Sequence, residues 1–200
     1  MKSKKQAFNF KKEYKESWEF IKSSRKFIYS AIGIFVVFMF VGFFFLPPEN
    51  ILNYITNMLE ELFALTEGMA IPELIGFIFL NNFQAAFFAM LLGVILGVPS
   101  ILSTIFNGYV VGIVIRSVIL SEEGSFLDLW RLLPHGIFEL TAIFIAFGLG
   151  IKLGSFIFQK DPGKSLKEFF VKSIKVFILV IFPLLVIAAI IEGVLIGLGI

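Results

Sequence analysis

The long apolar runs of this chain are bounded by charged residues, and the spacing of those charges measures each run. Between Lys26 and Glu49 lie 22 uncharged residues. Residues 27–46 fill ~30 Å as a helix at ~1.5 Å per residue, one hydrocarbon thickness. The run ends in Leu46-Pro47-Pro48 and not in the small residues of a cleavage site, so it reads as a retained helix. Between Glu73 and Arg116 lie 42 uncharged residues, about 63 Å as one helix and twice what a span needs. Pro99-Ser100 sits near the centre, which predicts two spans, about 76–98 and 101–120, meeting there in a tight hairpin. Two more spans are predicted at about 134–154 and 176–198. The pattern therefore predicts an all-α polytopic membrane protein, with residues 27–200 forming a bundle of five transmembrane helices.

Shorter amphipathic patterns flank these spans. In residues 1–26, Phe10, Tyr14, Trp18 and Ile21 recur at helical spacing among Lys11, Lys12, Lys15 and Lys22. That pattern predicts a basic amphipathic cytoplasmic segment suited to an anionic leaflet, a solvated tail being the simpler alternative. Ile51, Ile55, Met58 and Leu62 form a second stripe, opposed by Asn53, Asn57, Glu60 and Glu61. A third segment, residues 126–133, carries Trp130. These last two are predicted to lie on the outer surface of the membrane.

Composition removes the soluble alternatives. Apolar residues are 58% and charged residues 16%, where ~25% charged is ordinary for a soluble chain. The absence of cysteine excludes disulfides, iron–sulfur ligation and thiolate zinc sites. The net charge of +2 hides a strong segregation. Residues 1–26 hold nine Lys/Arg against three Glu, and residues 152–175 hold six Lys against Asp161 and Glu168. Residues 47–73 hold five Glu and no base, and residues 121–133 carry Glu122, Glu123 and Asp128 against Arg131. Because positive loops stay inside, this predicts the cytoplasmic membrane with the N-terminus inside and the C-terminus outside. It also argues against nucleic acid as a partner.

Few motifs survive inspection. Pro162-Gly163-Lys164-Ser165 resembles the end of a phosphate-binding loop, but Phe158 stands where glycine is needed and no strand precedes it. No GxSxG elbow is present. GxxxG occurs at Gly93/Gly97, Gly108/Gly112, Gly150/Gly154 and Gly193/Gly197. Small residues four apart let helix backbones approach closely in lipid, so a tightly packed bundle is expected and a homodimer is allowed.

Polar residues inside apolar runs are more informative, because a charge at the centre of a span costs ~2–3 kcal/mol. They are Asn81, Asn82, Gln84, Asn107, His135, Glu139 and Glu192. Residue counting places Asn82 ~12 Å, Glu139 ~8 Å and Glu192 ~6–12 Å below the outer surface. Asn107 falls in the inner half, about 10 Å from the cytoplasmic boundary. His135 and Glu139, at i and i+4, share one helix face, and Gly136 is expected to allow close packing beside them. The His135–Glu139 pair is open to three readings: a structural hydrogen-bonded pair, a proton or ion site, or a metal site. The metal reading is least favoured, because a zinc centre needs three protein ligands. The asparagines are open to a structural reading as interhelical hydrogen bonders, and Glu192 to one as a residue facing water near a helix end.

At these residues the chain resembles the stage II sporulation protein M family of integral membrane proteins. The resemblance is carried by Asn81-Asn82, by Asn107-Gly108, by Leu133-Pro134-His135-Gly136-Ile137-Phe138-Glu139-Leu140 and by Ala188-Ala189-Ile190-Ile191-Glu192-Gly193. It implies a five-span protein without known enzymatic activity. In spore formers the family member is a membrane partner of peptidoglycan-remodelling proteins during engulfment, a role that transfers poorly because family members occur widely in organisms that make no spores. The expectation is a non-enzymatic membrane scaffold or transport-associated subunit with no cofactor and no resident metal. Its expected partners are the lipid bilayer and proteins in the membrane. The alternative is a proton- or ion-linked transporter or channel subunit built on His135, Glu139 and Glu192. An intramembrane metallohydrolase is a distant third.

Overall fold

The apolar runs fold as helices in the computed structural model of the chain, which describes residues 9–120 and 133–198. The side chains of Leu62, Phe63, Leu133, Pro134 and His135 lie outside the description, as do Trp130 and the charged residues of 121–132. Among the described residues eight α-helices follow in order: α1 (Phe10–Ser23), α2 (Arg25–Phe44), α3 (Glu49–Thr66), α4 (Ile71–Leu92), α5 (Val98–Leu120), α6 (Leu133–Gly154), α7 (Pro162–Val176) and α8 (Phe182–Gly197). Among the described residues, five segments are long and apolar enough to cross a membrane: α2, α4, α5, α6 with the 3₁₀ turn after it, and the run from α7 through α8. α6 is the most buried of them and forms the centre of the bundle. Its Ala142, Ala146, Phe147 and Leu149 are packed against α2, α4 and the last helix.

Local chemistry fixes the helix ends. Asn9 caps α1 by accepting the Lys12 N–H at 3.2 Å, and Asp161 caps α7 by accepting that of Lys164 at 3.1 Å. The stretch that resembled a phosphate loop is therefore a capped helix start, with Pro162 in its first turn. Between α7 and α8 the chain does not break. It passes through one π turn, Phe177–Ile181, directly before Pro183. A proline ring inside a helix clashes with the carbonyl four residues earlier, and a widened turn relieves that clash. The last apolar run is thus the second half of one helix that begins at Pro162.

The reversal between α4 and α5 differs from the expected one. It runs through residues 93–97, where Leu96 and Gly97 take φ of 55° and 74°, and Pro99 already stands in the first turn of α5. Proline suits that position because its missing N–H would have had no helical partner. Gly97 supplies the left-handed conformation that turns the chain.

The GxxxG glycines lie at close approaches within the chain. Gly108 and Gly112 of α5 press on the α2 backbone at Phe35, Met39 and Phe43, and Gly42 of α2 presses back on Tyr109. Gly150 and Gly154 of α6 meet Gly93, Gly97 and the Ser100 hydroxyl, which itself donates to Ala89 O at 2.6 Å. Gly93 and Gly97 thus belong to a turn and not to a helix face, as the reversal requires. Gly193 and Gly197 of α8 seat Ile75 and Ile71 of α4. Gly136 is different: a side chain there would meet open space, so it is not a packing glycine.

Phenylalanine has a role that the sequence left unassigned. Phe79, Phe83 and Phe87 repeat every turn of α4 and interlock edge-on with Phe177 and Phe182, with ring centroids 5.1–6.2 Å apart. Such edge-to-face pairs are the favoured aromatic geometry and join α4 to the last helix.

Candidate functional site

At the end of the bundle that holds α3, the helices α4, α6 and α8 separate enough to leave a cavity of about 280 Å³. Its walls are Leu59 and Thr66 of α3, Leu74, Phe77 and Ile78 of α4, and Ile196 of α8. Four amide or carboxyl side chains also line it: Asn81 and Asn82 of α4, Glu139 of α6 and Glu192 of α8. Three separated segments therefore place their intramembrane polar residues in one space. Two of its wall residues, Leu74 and Ile78, form with Ala189 a small apolar cluster at the α4–α8 seam.

Helix periodicity accounts for the convergence. On α8, Gly193 faces α4, so the adjacent Glu192 is turned about 100° away, toward the gap that α6 borders. Both carboxylates line the same cavity, one from α6 and one from α8. Glu192 does not simply face water: its Oε2 atom is buried and has no hydrogen-bond partner among the described residues. A buried carboxylate oxygen without a donor is costly, and a proton, a cation or an ordered water entering the cavity would supply what it lacks.

The remaining sequence candidates fall elsewhere. Asn107 is half-buried on α5, where its Nδ2 donates to Ser103 O at 2.8 Å within its own helix. It does not line the cavity, and it does not bridge helices. Gln84 is exposed on α4. The backbone of His135 lies in the first turn of α6, one turn before Glu139, and its side chain is outside the described residues. Among the described residues no group of three or more His, Cys, Asp or Glu is placed to hold a metal ion.

Two cations that served only as boundary markers in the sequence prove to be structural. Arg116 of α5 donates from Nη1 to Phe43 O at 2.8 Å, and Tyr109 Oη donates to Phe45 O at 3.0 Å. Together they satisfy carbonyls at the end of α2 that have no helical partner. Lys152, only 7% exposed, lies at the opposite end of the bundle. Its Nζ donates to Ser23 Oγ and Ser24 Oγ, each at 2.9 Å, and sits 4.0 Å from the Phe20 ring centroid and 5.3 Å from that of Phe169. A hydroxyl pair 128 residues away in sequence, combined with two ring faces, carries no linear signature.

Residues 31–195 match the family described as stage II sporulation protein M. An uncharacterized protein of Methanocaldococcus jannaschii is 34% identical over 116 residues, which cover 56% of this chain. The chain spans 65% of that relative's length. No solved structure matches the chain. The family match takes in α3 to α7, α2 from residue 31 onward, α8 up to residue 195 and every polar residue of the cavity, and the chain belongs to the stage II sporulation protein M family.

Proposed function

We propose that the protein is a non-enzymatic component of the cytoplasmic membrane, N-terminus inside and C-terminus outside, whose outer-half cavity binds a proton or a cation in a transport-associated role. The cavity carries this reading. It gathers Glu139, Glu192, Asn81 and Asn82 in one space of about 280 Å³, with a buried carboxylate oxygen that has no partner among the described residues. Ionisable residues held inside a membrane are unfavourable unless partnered, and such groups mark ion and proton paths more often than they serve packing. Amide oxygens from Asn81 and Asn82 add neutral donors suited to a hard monovalent cation, and the apolar walls would tolerate a small organic one. The family has no known enzymatic activity, which agrees with a binding role.

A ligand that binds only the folded state raises its melting temperature. The protein in nanodiscs is expected to melt higher with rising concentration of one of Na⁺, K⁺ or tetramethylammonium, or to shift its melting across a pH series. The double variant Glu139→Gln, Glu192→Gln keeps the shape of both side chains and should fold yet lose that response. A scaffold with a purely structural polar cluster predicts the opposite pattern, a lower melting temperature in the variant with its cation and pH response unchanged. That result, or a wild-type protein indifferent to both, would remove the proposal.

A further inference from the structure

The N-terminal helix presents three different faces, and only one of them is used by the protein. Ser17 and Phe20 are buried against α7 and α6, and Phe20 packs on Phe169 at 6.4 Å between ring centroids. Glu13 and Glu16 turn to the same side and pair with Lys175 of α7, Glu16 at 3.7 Å. The acidic groups nearest the seam are thereby turned inward. Phe10, Tyr14 and Trp18 occupy a neighbouring sector of roughly 80° and are all exposed, with Phe10 stacked on Tyr14. The third sector is cationic. Lys11 and, in the first turn of α2, Arg25 and Lys26 make no ion pair among the described residues, and Lys22 lies 6.0 Å above the Trp18 ring. The pairs Lys12–Glu16 and Lys15–Glu19 are exposed, at 3.9 and 4.0 Å, too weak to neutralise the face.

α7 repeats the arrangement. Ser173 and Val176 are buried, Phe170 and Val171 are exposed, and Lys164 and Lys167 stand beside them. Phe158, 83% exposed, precedes it with Lys160 two residues on. Two helices docked on each other thus expose aromatic and aliphatic residues next to unneutralised lysines. A soluble protein partner would be matched by the cations alone; a ring belt beside a cation row matches the boundary between acyl chains and anionic headgroups.

We infer that α1 and α7 form one lipid-binding platform that concentrates anionic headgroups around the protein, with Phe10, Tyr14 and Trp18 seated at headgroup depth. The chain has two tryptophans, Trp18 and Trp130. In a Trp130→Phe background Trp18 reports alone; if that variant does not fold, the difference between wild type and Trp18→Phe gives the same quantity. The protein is placed in bilayers that mix phosphatidylglycerol and phosphatidylcholine, with either lipid brominated at equal mole fraction. Brominated phosphatidylglycerol should quench Trp18 several-fold more than brominated phosphatidylcholine. The triple variant Lys11→Gln, Lys22→Gln, Lys26→Gln should bring the two toward equality, each lysine contributing at most roughly fivefold to local enrichment. Equal quenching by both lipids in the wild-type platform overturns anionic selectivity. Absence of quenching by either overturns the platform itself and leaves a protein partner as the occupant of that face.

Discussion

At the scale of single residues, the same amino acid carries opposite consequences according to what faces it. A Cβ at Gly112 would run into the backbone of Met39 and Phe43, whereas one at Gly76 or Gly136 would enter open space. Gly112→Ala should therefore cost about 1–3 kcal/mol through overpacking of the α2–α5 seam, and Gly76→Ala should leave stability unchanged or slightly raise it. Thermal unfolding of both variants in one detergent checks the contrast; equal melting temperatures would show that the seam yields. The polar residues were legible in the sequence for a physical reason: an Asn or Glu inside an apolar run is conspicuous wherever it points. Which of them meet was not legible, since that depends on helix rotation. Asn107 was grouped with the others by type, yet it satisfies itself within α5. Lys152 was hidden for the converse reason, lying among the six Lys of residues 152–175 whose collective charge already had an explanation.

At the scale of elements, the five apolar spans followed from length and charge spacing, and their joints did not. Pro99 and Gly97 are two residues apart, and both are turn-favouring, but Gly97 makes the reversal with Leu96 through their positive φ while Pro99 starts a helix. Pro183 lies inside the last apolar run, and nothing in its neighbours announces the π turn that accommodates it. The docking of α1 is another such joint. Ser23 and Ser24 lie where α1 passes into α2, and Lys152 ties both hydroxyls to α6 under the Phe20 ring. Lys152→Met keeps most of the buried stem, and the serine hydroxyls still donate to Phe20 O. Both variants lose the cation–π contact, and Lys152→Ala also removes the buried stem, a further loss of about 2 kcal/mol. Limited proteolysis within residues 10–23 should therefore accelerate strongly in Lys152→Ala and only mildly in Lys152→Met. Equal rates in all three proteins would mean that Lys152 does not hold α1 in place.

At the scale of the whole molecule, charge and geometry divide the bundle into two unlike ends. The end with α1, the turn at residues 93–97 and α7 carries the lysine-rich segments; the end with α3 carries Glu49, Glu60, Glu61, Glu67 and Glu73 and opens into the cavity. The four glycine pairs are filled by neighbouring helices of the same chain, so a homodimer would have to use other surfaces. Under the proposed orientation, which rests on the positive-inside rule, the basic end faces the cytoplasm and the cavity lies in the outer half of the bilayer. Because the chain has no cysteine, single cysteines report position without background. Lys164 on α7 and Asn57 on α3 are both exposed and far from the packed seams. On intact cells, an impermeant thiol reagent should label Asn57→Cys and spare Lys164→Cys until the membrane is opened. The reverse pattern would invert the orientation and move the cavity to the cytoplasmic half, where a proton or cation would have to enter from inside. Labelling of both from outside would contradict an odd number of spans between the two positions and with it the five-span arrangement.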